Sequence, residues 1–147
     1  MAVLCGCKED NWTDWKLQNE MWLEANATKE GVQTSPSGLQ YKVLYPGNTS
    51  DARPDDASIV IASYSGKLIN GYIFDEASHA TLYVSGVKEG FAEGIKKIHA
   101  HGDIELYIPY DLAYGDSIQG VEGSFSASVI PPYSTLIFQV HLDAVTK

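Results

Sequence analysis

Four short blocks place aromatic and branched side chains among residues that favour turns. They are YSGKLINGYIFD at 64–75, VKEGFAEGI at 87–95, YIPYDLAYG at 107–115 and VIPPYSTLIFQV at 129–140. Rings held beside glycine and proline are placed to line a hollow as well as to fill a core. Tyr64, Asp75 and Tyr114 bring polar atoms into the same blocks. The chemistry open to this set is enclosure of an apolar group, with selectivity from shape and a few placed donors. Taken singly, Phe74, Phe91, Phe138, Val87 and Ile130 read better as core residues. Tyr64 and Tyr114 read equally well as edge tyrosines with a wet hydroxyl, and Asp75 as a turn residue.

Conventional catalytic groups are scarce. The chain has no GxSxG, no glycine-rich phosphate loop and no HExxH. His99 and His101 form an HxH pair with no further ligand spaced nearby, and imidazoles suit the negative end of a helix dipole. Cys5 and Cys7 are the only cysteines; a bridge between them would close a very tight loop, and no other thiol completes a metal site. Asp55, Asp56 and Asp116 read as solvated loop carboxylates. No metal and no cofactor is expected, and hydrolysis by a triad or a metal is disfavoured.

The elements that must hold these residues follow from periodicity. Residues 11–27 read as a helix capped by Asn11, with Trp12, Trp15, Asn19, Trp22 and Ala25 toward one face. All three tryptophans lie there, and the stripe reads as self-packing ahead of a homodimer seam. Gly31 and Thr34-Ser35-Pro36-Ser37-Gly38 form a linker. Leu39, Tyr41 and Val43 alternate as a strand, followed by a turn at Pro46-Gly47-Asn48. Residues 59–64 form a β-branched run, and Asn70-Gly71 has the sequence of a tight hairpin turn. Residues 88–101 read as a second helix with Phe91, Ile95 and Ile98 on one stripe and Gly102 as its C-terminal stop. Ile104, Leu106 and Ile108 alternate in the next strand, and Leu136, Phe138, Val140 and Leu142 in the last. The sum is an α+β fold, an antiparallel sheet with one helix packed across one face.

The bulk numbers bound the rest. A chain of 147 residues, 44% hydrophobic and 20% charged, can bury one real core. The expected division is a tether at 1–10, a helix and linker at 11–35 and a domain at 36–147. A net charge of -9 repels phosphate backbones, so nucleic acid is not an expected partner. It also disfavours anionic membranes unless a lipid anchor overrides the repulsion. Leu4-Cys5-Gly6-Cys7 resembles the end of a bacterial lipoprotein signal, which would make Cys7 the lipidated residue. Cys7-Lys8-Glu9-Asp10 resembles the acidic stretch after the lipid-bearing cysteine of some surface-exported lipoproteins. No stretch is long and apolar enough to span a membrane.

The four aromatic blocks, in their order, resemble the FKBP-type peptidyl-prolyl cis-trans isomerases. Upstream, EGVQTSPSGLQYKVLYPG at 30–47 resembles the approach segment of bacterial periplasmic and lipoprotein members. The resemblance spans about residues 30–145. It implies a strongly curved antiparallel β-sheet wrapped around a short α-helix, preceded by an N-terminal helical extension. It implies isomerase activity in the bacterial cell envelope on proline-containing peptides or unfolded clients, inhibited by macrolides of the FK506 or rapamycin type. A peptide-binding or chaperone module with little turnover is the alternative. The residues carry over block by block. Tyr64, Phe74 and Asp75 match wall residues, and Val87 and Lys88 a corner where the Lys88 backbone N–H meets a ligand carbonyl. Phe91 matches the pocket floor, Tyr114 a hydroxyl donor, and Val129, Ile130 and Phe138 the remaining wall. The chain departs from the pattern at Phe91, where tryptophan is common, and at Lys88, where an aliphatic residue is frequent. It departs again in the short stretch 76–83, where either Leu82 or Tyr83 fills an aromatic wall position, and in a 13-residue loop at 116–128 that would overhang the pocket.

Overall fold

The structure is a computed structural model, and it describes residues 12–115 and 130–146. Helix α1 (Thr13–Asn26) is followed by strands β1 (Gln33–Thr34), β2 (Gln40–Tyr45), β3 (Ile59–Lys67) and β4 (Ile73–Tyr83). Helix α2 (Glu89–Ile95), β5 (Asp103–Ile108) and β6 (Leu136–Thr146) complete the fold. The six strands form one antiparallel sheet in the order β1-β2-β5-β6-β3-β4. This is the expected α+β architecture with an N-terminal helical extension.

Alternation decides which face is which. Ile104, Leu106 and Ile108 of β5 and Leu136, Phe138, Val140 and Leu142 of β6 are buried on the face that α2 covers. Register shifts between Ala62 and Tyr64, Gly66 and Lys67, and Val43 and Tyr45 bend the strands around that core. At one of them His79 takes a φ of 53°, so Ser78 and His79 together face Ser63.

The second helix is half as long as periodicity predicts. It ends at Ile95, with Lys96 at ψ -4° as its C-cap. Beyond it, tertiary bonds capture the donors that a longer helix would use. His99 N–H donates to the Pro46 carbonyl at 2.8 Å and His101 N–H to the Leu142 carbonyl at 2.6 Å. Ile98 is still fully buried, so the apolar period is real although the helix is not. The two histidines therefore stand beyond the helix end, and their place there owes nothing to its dipole. His101, at φ 73°, takes the left-handed turn expected of Gly102. Gly102 is needed for room instead, since a Cβ there would lie 2.9 Å from the carbonyl oxygens of both His99 and Tyr45.

The tryptophan helix packs on its own chain. Trp15 lies against the core and donates its indole N–H to Ser134 Oγ at 3.0 Å. Asn19, only 1% exposed, accepts the Thr135 backbone N–H at 2.7 Å. The Trp22 ring lies 5.8 Å from that of Tyr107, and Asn26 donates to Gln40 Oε1 at 2.9 Å. These positions recur every three to four residues, so one helix face is used throughout. Ala25 is exposed, outside that face. The proposed cap Asn11 lies outside the described residues.

Candidate active site

The hollow grows out of three local facts. First, α2 approaches β5 at backbone range. A Cβ on Gly94 would sit 2.2 Å from Leu106 Cδ2, and one on Gly90 2.4 Å from Ile108 Cγ2. Phe91, between those glycines, is thereby held close over the sheet. Second, Gly66 leaves space on β3 for two rings, since its Cβ would meet Phe138 Cε1 at 2.6 Å and Phe74 Cζ at 2.8 Å. Third, β4 runs on to Tyr83 and then turns into Val87, which closes the corner before α2.

The rings meet edge to face. Phe91 and Phe138 stand 5.0 Å apart at 82°, Phe74 and Phe138 5.5 Å apart at 86°. Tyr64 lies 5.7 Å from Phe91 and 6.0 Å from Phe138. Such contacts set a positive ring edge on a negative face and are each worth about 0.5–1.5 kcal/mol beyond the area they bury. Beside them opens a hollow of about 180 Å³ lined by Tyr64, Asp75, Leu82, Gly86, Val87, Lys88, Phe91, Tyr114, Leu136 and Phe138.

The sequence-expected residues separate on that geometry. Tyr64, Asp75, Val87, Lys88, Phe91, Tyr114 and Phe138 come together around the hollow. Phe74 does not line it; it stands behind Phe138 as support. Ile130 is buried in the core and does not line it either. Val129 lies outside the described residues, as do Cys7 and the loop 116–128. Sequence reasoning missed Leu136 and Gly86. It also left Leu82 and Tyr83 undivided, and the structure divides them: Leu82 lines the hollow while Tyr83 is 60% exposed. The strand parity of β4 carried that answer, but the polar run Glu76–His79 hid the strand.

The hollow is apolar with two polar corners. Tyr64 donates to Asp75 Oδ2 at 3.4 Å, a long bond. Burial, and then the negative charge of Asp75, hold the hydroxyls of both Tyr64 and Tyr114 above the ordinary tyrosine range. Both therefore remain neutral donors at physiological pH. The Lys88 ammonium lies 4.6 Å from the centre of the Tyr114 ring. The Lys88 backbone N–H has no hydrogen-bond partner among the described residues.

A larger hollow, about 500 Å³, opens on the other side of the sheet between α1 and the β3–β4 hairpin. Lys29, Lys42, Lys67, Glu30 and Glu105 share its wall with Trp22, Tyr107 and Ile137. It is larger and more polar, and of the rings paired edge to face only Phe138 reaches its wall among the described residues.

The profile of the FKBP-type peptidyl-prolyl cis-trans isomerases matches residues 50–143, and that of the domain amino terminal to these isomerases matches residues 8–43. The outer membrane protein MIP of Legionella longbeachae is 37% identical over 136 residues, covering 90% of this chain and 54% of that protein. The FKBP-type 22 kDa isomerase of Escherichia coli strain K12 is 39% identical over 125 residues, 82% of this chain and 56% of its own. The crystal structure of Escherichia coli FkpA superposes with a TM-score of 0.80 at 37% identity, covering 90% of this chain and 60% of that one. A Pseudomonas syringae isomerase superposes with a TM-score of 0.80 at 25% identity, covering 95% of this chain and 99% of that one. This chain spans about half the length of the curated relatives it matches.

Proposed function

The chain belongs to the FKBP-type peptidyl-prolyl cis-trans isomerase family, and on that footing we propose that it accelerates rotation about Xaa-Pro bonds in the hollow between α2 and the sheet. The observation that carries the reading is the convergence of Tyr64, Phe91 and Phe138 on one small apolar space beside Tyr114 and the Lys88 backbone N–H, which has no hydrogen-bond partner among the described residues. Pockets for drug-sized ligands run to roughly 300–1,000 Å³. A hollow of about 180 Å³ suits a single small ring.

The chemistry needs no nucleophile. Amide resonance sets a barrier of roughly 18–20 kcal/mol to C–N rotation. Unaided, Xaa-Pro bonds turn over in tens to hundreds of seconds. In the twisted transition state resonance is lost and the carbonyl is less polar. Walls of Phe91, Phe138, Leu82, Leu136 and Val87 favour that species over the planar, dipolar amide. The Lys88 N–H and the neutral Tyr114 hydroxyl anchor the flanking backbone. Each tenfold in rate takes about 1.4 kcal/mol of differential binding, so a few such contacts are enough. Phe74 and Ile130 act through their neighbours by holding Phe138 and the core in place.

The test is isomerisation of an acetyl-capped Ala-Ala-Pro-Phe peptide, with and without FK506. Acceleration that the macrolide removes supports the proposal; a rate equal to buffer overturns it. We place the protein in the bacterial cell envelope with unfolded chains as clients, a reading supported by the name of the Legionella relative and by the lipoprotein-like LCGC at 4–7. A lipid on Cys7 would add its mass to the protein isolated from a membrane fraction. We retain the division of 11–35 as an attachment and 36–147 as the isomerase unit. A homodimer through α1 would rest on Leu17 and Met21, which are 53% and 56% exposed, because the tryptophan face is already occupied.

A further inference from the structure

We infer that Lys88 makes this hollow selective for prolines flanked by an acidic residue. The inference rests on the isomerase reading above and adds a substrate class to it. Lys88 is exposed, stands immediately before α2 and lines the hollow. Its ammonium is held toward the interior rim by the Tyr114 ring, 4.6 Å away. A cation held on a ring face is fixed in place yet keeps its hydrogen-bond donors for another group.

No carboxylate within ion-pair range neutralises it among the described residues. The nearby lysines differ in this. Lys96 pairs with Asp56, and Lys97 approaches Glu93 at 4.0 Å. Two other carboxylates belong to the neighbourhood. Asp75 lines the same hollow at the Tyr64 hydroxyl, and Glu89 follows Lys88 in the first turn of α2. Asp75 acts on both tyrosine hydroxyls, while the Lys88 ammonium sits over the Tyr114 ring, so the hollow carries one anion and one cation on its wall.

The anchoring contact and the charge come from one residue. A peptide carbonyl bound to the Lys88 N–H lies beside the root of the Lys88 side chain. The residue next to the proline is then within reach of the ammonium. A carboxylate there meets a held cation that has no carboxylate partner among the described residues; a lysine there meets a like charge. The net charge of -9 opposes acidic peptides at long range. At physiological salt, however, the Debye length is about 8 Å, so the local pair outweighs the distant field. A partly screened ion pair predicts a preference of roughly two- to five-fold.

The experiment measures kcat/KM for two acetyl-capped series, Ala-Xaa-Pro-Phe and Ala-Ala-Pro-Xaa, each with Xaa as Glu, Gln or Lys. The order Glu, Gln, Lys is expected in at least one series. The Glu-to-Lys ratio should fall toward one in Lys88→Gln, invert in Lys88→Glu, and shrink as salt rises. The ratio is the readout, so a change in absolute rate does not confuse it. Wild type and Lys88→Gln showing the same ratios in both series would overturn the inference while leaving the isomerase reading intact. Catalysis of none of the peptides by wild type would overturn both.

Discussion

The two faces of the sheet use aromatic rings for different ends. On the α2 face, Tyr64, Phe74, Phe91 and Phe138 touch one another and leave a small apolar hollow. On the other face, Trp22 and Tyr107 meet as a pair that fastens α1, and the larger hollow beside them is lined with lysine and glutamate. Volume is therefore a poor guide to the site. What would favour a less polar transition state is an apolar, ring-walled space, and of these two hollows the smaller fits that description.

The attachments differ as well. Helix α2 is held by contact between its backbone and the sheet, with glycine at both points of closest approach. Helix α1 is held largely by side-chain amides that satisfy buried backbone and side-chain groups. Packing of the first kind sets how close Phe91 stands to the sheet, whereas hydrogen bonds of the second kind fix orientation.

The largest expected effect sets one face against the other. Phe138→Ala should cost about 3–5 kcal/mol of stability and lower kcat/KM by at least about a hundredfold, which corresponds to roughly 2.7 kcal/mol. Trp22→Ala should destabilise the fold while leaving kcat/KM of the folded protein within about threefold, since no wall of the site changes. Equal losses of activity in the two variants would erase the distinction between the faces. Next comes Gly94→Ala. Helix propensity alone would stabilise it by about 1 kcal/mol, but the overlap with Leu106 should reverse the sign and cost about 1–3 kcal/mol in urea titrations. A stabilised variant would show that α2 can lift off the sheet freely. Asn19→Ala should cost about 1–3 kcal/mol by leaving the Thr135 N–H buried without its acceptor, again read from urea midpoints, with peptide turnover little changed.

The smallest effect is on pH dependence. Tyr64 and Tyr114 have folded pKa values above the ordinary 10.0, chiefly through burial, and Tyr107 is raised through burial and its bond to Glu105. Below pH 10 all three are protonated in both states and the stability is fully present. Above it the unfolded chain loses protons that the folded chain keeps, so stability falls as pH rises toward the folded values. Urea midpoints at pH 9 and pH 11 should show the loss, and Tyr107→Phe should reduce it. An unchanged slope in that variant would place the burial of the outer-face tyrosine in question.

Much of this was readable in advance. Strict alternation in 104–108 and 136–142 names the inner face of β5 and β6, because parity in a strand leaves one answer. The order of the four aromatic blocks identified the family and gathered seven residues that now surround one hollow. Two kinds of residue escaped. Phe74 and Ile130 have the same composition and company as wall residues, yet they stand one layer back. The strand through 76–83 escaped because β4 is an edge strand among the described residues, with polar residues tolerated along it.

The amino-acid sequence alone determined the architecture, the identity of the buried face and the chemical character of the site. Those depend on local period and residue type, which every stretch of chain carries with it. Only the tertiary structure decided where α2 stops, which of Leu82 and Tyr83 turns inward, and on which side of the sheet the ring-walled hollow lies. Each of these is settled by partners distant in sequence: the Pro46 and Leu142 carbonyls that take the donors beyond Ile95, the register of β4 on β3, and the absence of a Cβ at Gly66 and Gly94. Contacts of that kind are invisible to periodicity because the chain meets them only once it has closed.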